Sequence, residues 1–510
     1  MTSLSVSSHP GSAGSVSHAG DTRLVADFLR RRADAEWAAT DRRVLTRDEA
    51  IALARTVLKM RTAANDPSGR AITIQHRVVR VVRMTRNTHV TSADLDFLTL
   101  NFSTAIGSGI PVDVETTVRD VATLQEVVRR AEVHASPALR AQDINPDADA
   151  PWMEFQGFKT YLPVSLWHPA TQDALAAPAH GTAARMMTHM RDSGFTCAGT
   201  IALMTRAYLA FHEHGKQAWV EDTDSEVTMT AFAPDGSASG WSGQAERNWA
   251  NMQPERIVTE AIDMAARNRG RVRVEPGRYT AILSPAAVGS LISEMCILFH
   301  PLVGGPFVKK PGADGRKTKL GQKMVDQRIS MWTDPADPNY GNYPFFDDGY
   351  PSGKVTWIDH GIVKALAYDP GYGAMEGQIP FRCPPSIQMS GGSTSIEQMI
   401  AQCDRGIYVH RLSAVRLMDE PSAMMMGNTR DGCFFIKNGK IQHPAVNFRF
   451  YESPMLLFNK LVAMGTPKRA AFGFGNDRRW GTIDGWPREP IVVPPIMAQD
   501  FNFSALVDAV

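Results

Sequence analysis

The sequence feature that most constrains the fold is a pair of long strand-like runs early in the chain. ITIQHRVVRVVRMTRNTHV (residues 72–90) and DLDFLTLNFSTAIG (residues 94–107) are rich in β-branched and aromatic residues that partly alternate with polar ones. This pattern is typical of strands. Similar runs recur between short amphipathic helices, without a fixed repeat. We therefore predict an α+β fold, with an N-terminal α/β region followed by a C-terminal, mainly antiparallel β domain.

Capping signals predict where several helices begin. Thr46 and Glu49 have the spacing of a capping box, in which each side chain satisfies an amide left unpaired at a helix start. They predict a helix to about residue 60. Thr123 and Glu126 have the same spacing and predict a second helix to about residue 133.

Two shorter signals concern single turns of the chain. Pro254 precedes ERIVTEAIDMAARN, and proline is preorganised for the first position of a helix. Asn438 and Gly439 lie between IK and KI, which is a strong signal for a type I′ hairpin turn.

Composition excludes several classes of protein. The 510 residues include 54 Lys and Arg against 53 Asp and Glu, a formal net charge of +1. A balance near zero argues against a main task of gripping nucleic acid, so we expect no direct nucleic-acid partner. No apolar run reaches the roughly 18 residues of a membrane span, so no membrane partner is expected.

The N-terminus and the cysteines indicate the compartment. MTSLSVSSHPGSAGSVSHAG lacks the basic start and apolar middle of a signal peptide, and we predict a disordered tail over 1–22. A helix is expected over 23–40. The five cysteines form no CxxC pair, which disfavours a disulfide framework or a zinc ribbon. A reducing cytoplasm fits best.

Few polar motifs point to chemistry. No P-loop and no HExxH occur in the sequence. His212 and His214 could form half of a metal site on one face of a strand, although two exposed side chains at a strand end are the favoured interpretation. Asp347 and Asp348 could serve acid–base chemistry, but FFDDGYPSGK is more typical of a turn.

Residues 286–299 predict a core helix. Ser293 and Glu294 lie away from its apolar stripe, and His300 follows at its end before Pro301. The stripe has helical spacing and consists of Val288, Leu291, Ile292, Met295 and Phe299.

From about Glu275 onward the chain resembles the TldD/PmbA (TldD/TldE) family, modulators of DNA gyrase also classed as metallopeptidases. No single motif is decisive, but several occur in the family's order. The resemblance is carried by EPGRYTAILSPAAVGSLISEM, LGQKMVDQRISMWTDP, FFDDGYPSGKVTWIDHGIVKALAYD, FRCPPSIQMSGGSTSIEQMIAQCDRGIYV, GCFFIKNGKIQHPAVNFRF and VVPPIMAQDFNFS.

The resemblance implies two domains after the tail. The N-terminal TldD/PmbA-like domain would span 23–275, with a Pro- and Ala-rich connection over 136–178. The C-terminal TldD/PmbA-like domain would span 276–510. The N-terminal part of the chain carries the weaker likeness, in its helix 46–60 and the strands that follow.

The family's metal motif is altered in this sequence. Active TldD-type members carry HExxxH on the helix that matches 286–299, and a Cys near the C-terminus completes the metal site. Here the corresponding positions are Ser293, Glu294 and Leu298, and AFGFGNDRRWGTIDGWPREP (471–490) contains no Cys. The hairpin pattern DDEG also reads DDG. The resemblance thus implies the family fold and leaves enzymatic activity uncertain.

The first hypothesis is a TldE-like, non-catalytic subunit of a heteromeric metallopeptidase. Members of that type lack the metal motif and pair with a TldD-like HExxxH subunit, which acts on unstructured peptides in degradation or precursor maturation. We expect no cofactor or metal ligand in this chain, and zinc in a partner subunit.

Two other hypotheses stay open. In a degenerate metallopeptidase, Glu294 and His300 would be catalytic or ligating residues, with His360 or Cys296 as a third ligand. In the other, the chain is a non-enzymatic protein, as a homodimer, that binds peptides or small molecules with the same fold.

Two residues in the matched segments are candidate substrate contacts. Arg382 could bind a peptide carboxylate, although an internal ion pair is the favoured interpretation. Tyr408, in the DRGIYV segment, is the second candidate.

Overall fold

The computed structural model describes residues 18–33, 43–60, 70–104, 112–134, 161–177, 180–212, 216–308, 318–345, 351–368, 386–472 and 490–507. The fold is α+β, as predicted, with mostly antiparallel sheets. No helix in these ranges is long and apolar enough to cross a membrane.

The N-terminal domain is built on one six-stranded sheet that is antiparallel throughout. Its order is β3-β2-β1-β4-β5-β6. Its strands are β1 (Arg70–Thr85), β2 (Thr88–Thr104), β3 (Val112–Thr117), β4 (Thr196–His212), β5 (Gln217–Phe232) and β6 (Ser239–Glu246).

Six α-helices among the described residues bury their apolar side chains against this sheet in a hydrophobic core. The side chains of the strands alternate between this core and the other face of the sheet. The helices are α1 (His18–Ala33), α2 (Arg47–Lys59), α3 (Val121–His134), α4 (Pro169–Ala176), α5 (His180–Asp192) and α6 (Pro254–Arg267).

The C-terminal domain contains thirteen described strands. They form a seven-stranded and a six-stranded sheet. In chain order they are β7 (Gly277–Leu283), β8 (Met331–Thr333), β9 (Val355–Asp359), β10 (Ile362–Val363), β11 (Ile387–Met389), β12 (Arg405–Asp419), β13 (Met424–Lys437), β14 (Lys440–Pro444), β15 (Phe448–Glu452), β16 (Leu461–Met464), β17 (Lys468–Arg469), β18 (Ile491–Val493) and β19 (Ile496–Leu506).

The seven-stranded sheet closes on itself. The ring runs β7-β19-β15-β13-β12 and returns to β7, with β14 and β16 attached outside it. Four phenylalanines pack together between its strands, with ring centroids 4.8–5.4 Å apart, and they are Phe448, Phe450, Phe501 and Phe503. Closure leaves no free edge within the ring.

The six-stranded sheet packs beside this barrel. Its order is β10-β9-β8-β11-β18-β17, and β11 and β18 run parallel. The described part of the domain also contains three short α-helices, and they are α7 (Pro285–Met295), α8 (Ile396–Ala401) and α9 (Pro454–Asn459).

Of the two predicted capping boxes, one is confirmed and one is wrong. The Thr46 hydroxyl accepts from the Glu49 amide, and Glu49 accepts from the Thr46 amide in return. At α3 the cap is Asp120, whose carboxylate accepts from the Thr123 amide at 2.8 Å. Glu126 instead pairs with Arg129, one turn further along the helix.

Two segments differ from the sequence prediction. α1 begins at His18, inside the predicted tail, because buried Asp21 ties this turn to α2 through an ion pair of 3.6 Å with Lys59. Residues 1–17 lie outside the described residues. The predicted connection contains α4, which Thr171 anchors by donating to the carbonyl of Arg247 at 2.7 Å.

The shorter turn signals are confirmed. Pro254 is the first residue of α6. Asn438 and Gly439 have φ of 51° and 76° and join β13 to β14, the backbone of a type I′ turn.

Candidate functional site

The start of α7 is fixed to the barrel. α7 follows β7, which lies in the ring between β12 and β19. Ser284 is its N-cap and accepts from the Ala287 amide at 3.3 Å, while its hydroxyl donates to the carbonyl of His410 on β12. Pro285 occupies the first helical turn, where its missing N–H costs nothing. This helix and the turn that follows it carry the positions that match the family's metal motif.

The predicted helix over 286–299 changes form at its end. α7 stops at Met295, and Cys296–Phe299 form a 3₁₀ turn. Phe299 stacks on Phe307 with ring centroids 4.8 Å apart. Leu298 is fully buried in the same hydrophobic core. The apolar stripe thus continues into a tighter turn that inserts into the core.

The altered motif positions do not assemble a metal site. Ser293 is buried, Glu294 is partly exposed, and Leu298 is in the core. His300 follows the 3₁₀ turn with φ −85° and ψ 121°, an extended conformation before Pro301. In the parts of the chain that the structure describes, no three His, Cys, Asp or Glu residues come close enough to hold a metal ion.

The other proposed ligands also stay apart. His360 has φ of 48° in the hairpin turn between β9 and β10, is largely exposed, and contacts Asp359 at 2.7 Å. The Cys296 thiol donates to the carbonyl of Ile292 at 3.4 Å. The relocated set that the sequence suggested is therefore not brought together.

Of the other sequence candidates, only some lie in described residues. Arg382, His214 and the Asp347–Asp348 pair lie outside them. His212 ends β4 and is buried, so it is not the exposed strand-end side chain that was favoured.

Tyr408 is buried in a hydrogen-bonded chain. Its hydroxyl lies 3.0 Å from Nδ1 of His410, whose Nε2 lies 2.8 Å from the carbonyl oxygen of Trp241. Because a carbonyl only accepts, Nε2 carries the proton and Nδ1 accepts from Tyr408. Burial raises the pKa of Tyr408 and lowers the pKa of His410. The neutral pair thus links β12 to the N-terminal domain at β6.

A charged seam between the domains is absent from the sequence predictions. Asp222 on β5 is fully buried. Its carboxylate accepts two hydrogen bonds of 3.0 Å from Arg206 and one of 3.1 Å from Arg247. It also accepts a hydrogen bond of 3.1 Å from the Tyr343 hydroxyl. Arg247 also donates to the carbonyl of Gly341 at 2.6 Å. Burial favours a raised pKa for Asp222, but the two guanidinium groups outweigh it and hold the pKa below its ordinary value.

The same strand holds the end of β17. Asp224 pairs with Arg469 at 2.7 Å, and Glu226 accepts from the Phe472 amide at 3.1 Å. Between them, Ala470 packs against Gly289 of α7 so closely that a Cβ on the glycine would lie 2.5 Å from it. The carboxylates of β5 therefore hold residues 469–472 across the helix.

One sequence signal could have revealed this seam. In EDTDSE, Asp222, Asp224 and Glu226 alternate and so share one face of a strand.

Known proteins are similar to this chain in sequence and in fold. Residues 276–505 match the PmbA/TldA metallopeptidase C-terminal domain. The C-terminal part of the chain is therefore similar to this domain of the PmbA/TldD metallopeptidases. TldE from Thermococcus kodakarensis has the same fold, with a TM-score of 0.72 and 16% identity over 88% of this chain and 98% of TldE.

A second solved structure and two curated relatives are also similar to this chain. A Thermotoga maritima protein described as a modulator of a DNA gyrase gives a TM-score of 0.70 at 15% identity, over 85% of this chain and 95% of that one. A metalloprotease TldD homolog of Buchnera aphidicola is 24% identical over 42% of this chain and 46% of its own length. A metalloprotease of Methanothermobacter thermautotrophicus is 19% identical over 52% and 61%. The chain thus spans about half to three-fifths of these two curated relatives.

Zinc, which the family's metalloprotease members imply, does not fit the residues at the motif. A catalytic zinc needs about three protein donors, usually His, Cys or carboxylate. Ser293 offers a hydroxyl and Leu298 offers no donor, which leaves Glu294 as the one conventional donor at the three motif positions. The chain thus has the helix that matches the family's motif but lacks the ligands of that motif.

Proposed function

We propose that this chain is the non-catalytic, TldE-like subunit of a heteromeric metallopeptidase that acts on unstructured peptides in the cytoplasm. The proposal rests on Leu298, which stands where TldD-type members carry the second motif histidine. Its alkyl side chain cannot bind a metal, and it is fully buried in the core of the C-terminal domain.

Two further features support this role. Ser293 replaces the first motif histidine, and 471–490 contains no cysteine. With these ligands replaced, Glu294 would have no metal-bound water to deprotonate, which is the task of the glutamate in such a site. In this proposal a TldD-like HExxxH subunit supplies the zinc and the catalysis, and this chain supplies structure and peptide contacts.

The decisive experiment is reconstitution with an HExxxH subunit of the same family. The untagged chain is purified alone and after co-expression, then analysed by size-exclusion chromatography with light scattering and by elemental analysis. We expect a stable complex with about one zinc per heterodimer and substoichiometric zinc in this chain alone.

A matched pair of variants then assigns the chemistry. Glu294→Gln in this chain should leave peptide cleavage by the complex unchanged, and the equivalent change in the HExxxH subunit should abolish it. About one zinc bound to this chain alone, with activity lost in Glu294→Gln, would establish a degenerate metallopeptidase instead. A species of twice the chain's mass that forms no complex with the HExxxH subunit would indicate a homodimeric binding protein.

A further inference from the structure

Two buried amide side chains in the C-terminal domain have spare hydrogen-bonding groups. Gln388 is 6% exposed and Asn342 is 1% exposed. Among the residues that the structure describes, Nε2 of Gln388 and Oδ1 of Asn342 have no hydrogen-bond partner. Buried polar atoms in folded proteins are nearly always satisfied, so two exceptions close together in the fold call for an explanation, and a bound water or ligand is one.

These two groups lie on one face of the six-stranded sheet. Ile387 and Met389 of β11 point into the hydrophobic core, so Ser386 and Gln388 point to the opposite face. Asn342 reaches that face, because its Nδ2 donates to the Ser386 hydroxyl at 3.1 Å. The spare donor and the spare acceptor therefore lie on the same side of β11.

That face is turned toward the N-terminal domain. Gln388 pairs across the sheet with Trp332 on one side and with Val492 on the other, and Val492 pairs with Arg469. Arg469 reaches Asp224 of the N-terminal sheet. Trp332 is only partly buried, so an indole surface lies beside the amide of Gln388.

The charged seam holds Asn342 in place. The residue before it, Gly341, accepts from Arg247, and the residue after it, Tyr343, donates to Asp222. A group fixed in this way loses little freedom when a ligand binds, which favours affinity.

We propose that Gln388 and Asn342, beside Trp332, form a subsite that binds a carboxamide group of the ligand. An amide presents one carbonyl acceptor and one N–H donor, which complement the spare donor of Gln388 and the spare acceptor of Asn342. The amide comes either from a peptide bond of an extended chain or from an Asn or Gln side chain. The inference rests on the proposed function for its peptide ligand, and it adds the residues that bind the amide group of that peptide.

The test is calorimetric binding of two peptides to the full chain and to its complex with an HExxxH subunit. One probe is acetyl-pentaalanine amide, and the other has a central glutamine in place of the third alanine. Gln388→Glu keeps the size of the side chain and exchanges its donor for an acceptor. Gln442→Glu is the control, since Gln442 is exposed and bonds only the nearby carbonyls of Lys437 and Lys440.

We expect Gln388→Glu to weaken binding about tenfold and Gln442→Glu to leave it unchanged. Equal losses for both probes would assign the subsite to the peptide bond, and a loss confined to the glutamine probe would assign it to a side chain. Gln388→Leu, with stability checked by urea unfolding, provides a second variant that also removes the donor.

Unchanged binding in both Gln388 variants, or no binding of either probe up to millimolar concentration, would overturn the inference and leave a bridging water as the occupant. These outcomes are separate from the proposed function. A complex that forms and cleaves peptides normally while Gln388→Glu has no effect would refute the subsite alone.

Discussion

Arg469 on β17 donates to Asp224 in the middle of β5 at 2.7 Å, and the two side chains are 6% and 3% exposed. The pair joins the domains beside the motif helix. Burial raises the pKa of Asp224 against the opposing pull of Arg469 and Arg247, so this carboxylate depends on its cationic neighbours to remain charged.

Removing one partner of this pair should therefore be costly. Arg469→Met leaves a buried carboxylate without its main counterion, and we expect a loss of about 3–5 kcal/mol in the free energy of unfolding, measured with urea. Arg256→Met provides the matched control, because Arg256 bonds Glu260 at the same 2.7 Å but both side chains are about half exposed. The control should cost about 0.5 kcal/mol or less. Equal losses in the two variants would contradict a structural role for the buried pair.

Two buried histidines predict how stability depends on pH. Burial lowers the pKa of His410, although Asp431 and Glu260 oppose it, and burial also lowers the pKa of His76, although Asp96 opposes it. In the unfolded chain both titrate near the ordinary value of about 6.5. The unfolded state therefore takes up protons first, and stability present above that pH is lost as the pH falls.

We expect the melting temperature to fall by several degrees between about pH 8 and about pH 5.5. His410→Gln removes one of the two groups and should make this profile shallower, even if it lowers stability at every pH. The comparison variant is His360→Gln, which removes a histidine from an exposed hairpin turn instead of a buried one. A profile that stays equally steep in His410→Gln would refute a contribution from this histidine.

Local chemistry explains which features the sequence predicted. The capping box at Thr46 and the turn at Asn438–Gly439 depend on residues within three positions of each other, so a local pattern can predict them. The same spacing at Thr123 failed because Asp120, which precedes it, caps that helix instead. The start of α1 was wrong because it depends on Lys59, 38 residues from Asp21 in the chain. No local pattern encodes that contact.

The candidate site also has residues that a local pattern predicted and residues that it did not. Ser293 and Leu298 were identified from the motif because they lie five positions apart in one short segment, α7 and the 3₁₀ turn that follows it. The seam could not be predicted because Asp222 is stabilised by Arg247 and by Tyr343, distant in the sequence. Tyr343 belongs to the other domain and is 121 residues from Asp222. Alternate acidic residues on a strand normally predict a solvent-facing side.

The close approach of Gly289 and Ala470 gives a third prediction. A Cβ at 289 would lie 2.5 Å from the Cβ of Ala470, so Gly289→Ala should destabilise the protein by about 1–3 kcal/mol despite the better helix propensity of alanine. Ala470→Gly should restore stability in the double variant but not improve the unaltered chain. Gly353→Ala is the control, because a Cβ at 353 meets nothing within 4 Å. Additive effects in the double variant would show that the two residues do not share this contact.

The last prediction concerns Leu298, the residue on which the proposed role depends. Leu298→Ala should lower the free energy of unfolding by about 2–5 kcal/mol, as for other fully buried leucines. Leu298→Met should lower it by less than about 1.5 kcal/mol, because methionine preserves volume and apolarity.

Leu298→His restores one motif ligand but places an imidazole in the core that contains Phe299 and Phe307. We expect it to unfold at lower urea concentration than Leu298→Met and to bind substoichiometric zinc by elemental analysis. Stoichiometric zinc in Leu298→His would mean that Glu294 and its surroundings already supply the remaining ligands, and the chain would then be one substitution from a metal site rather than a subunit without one.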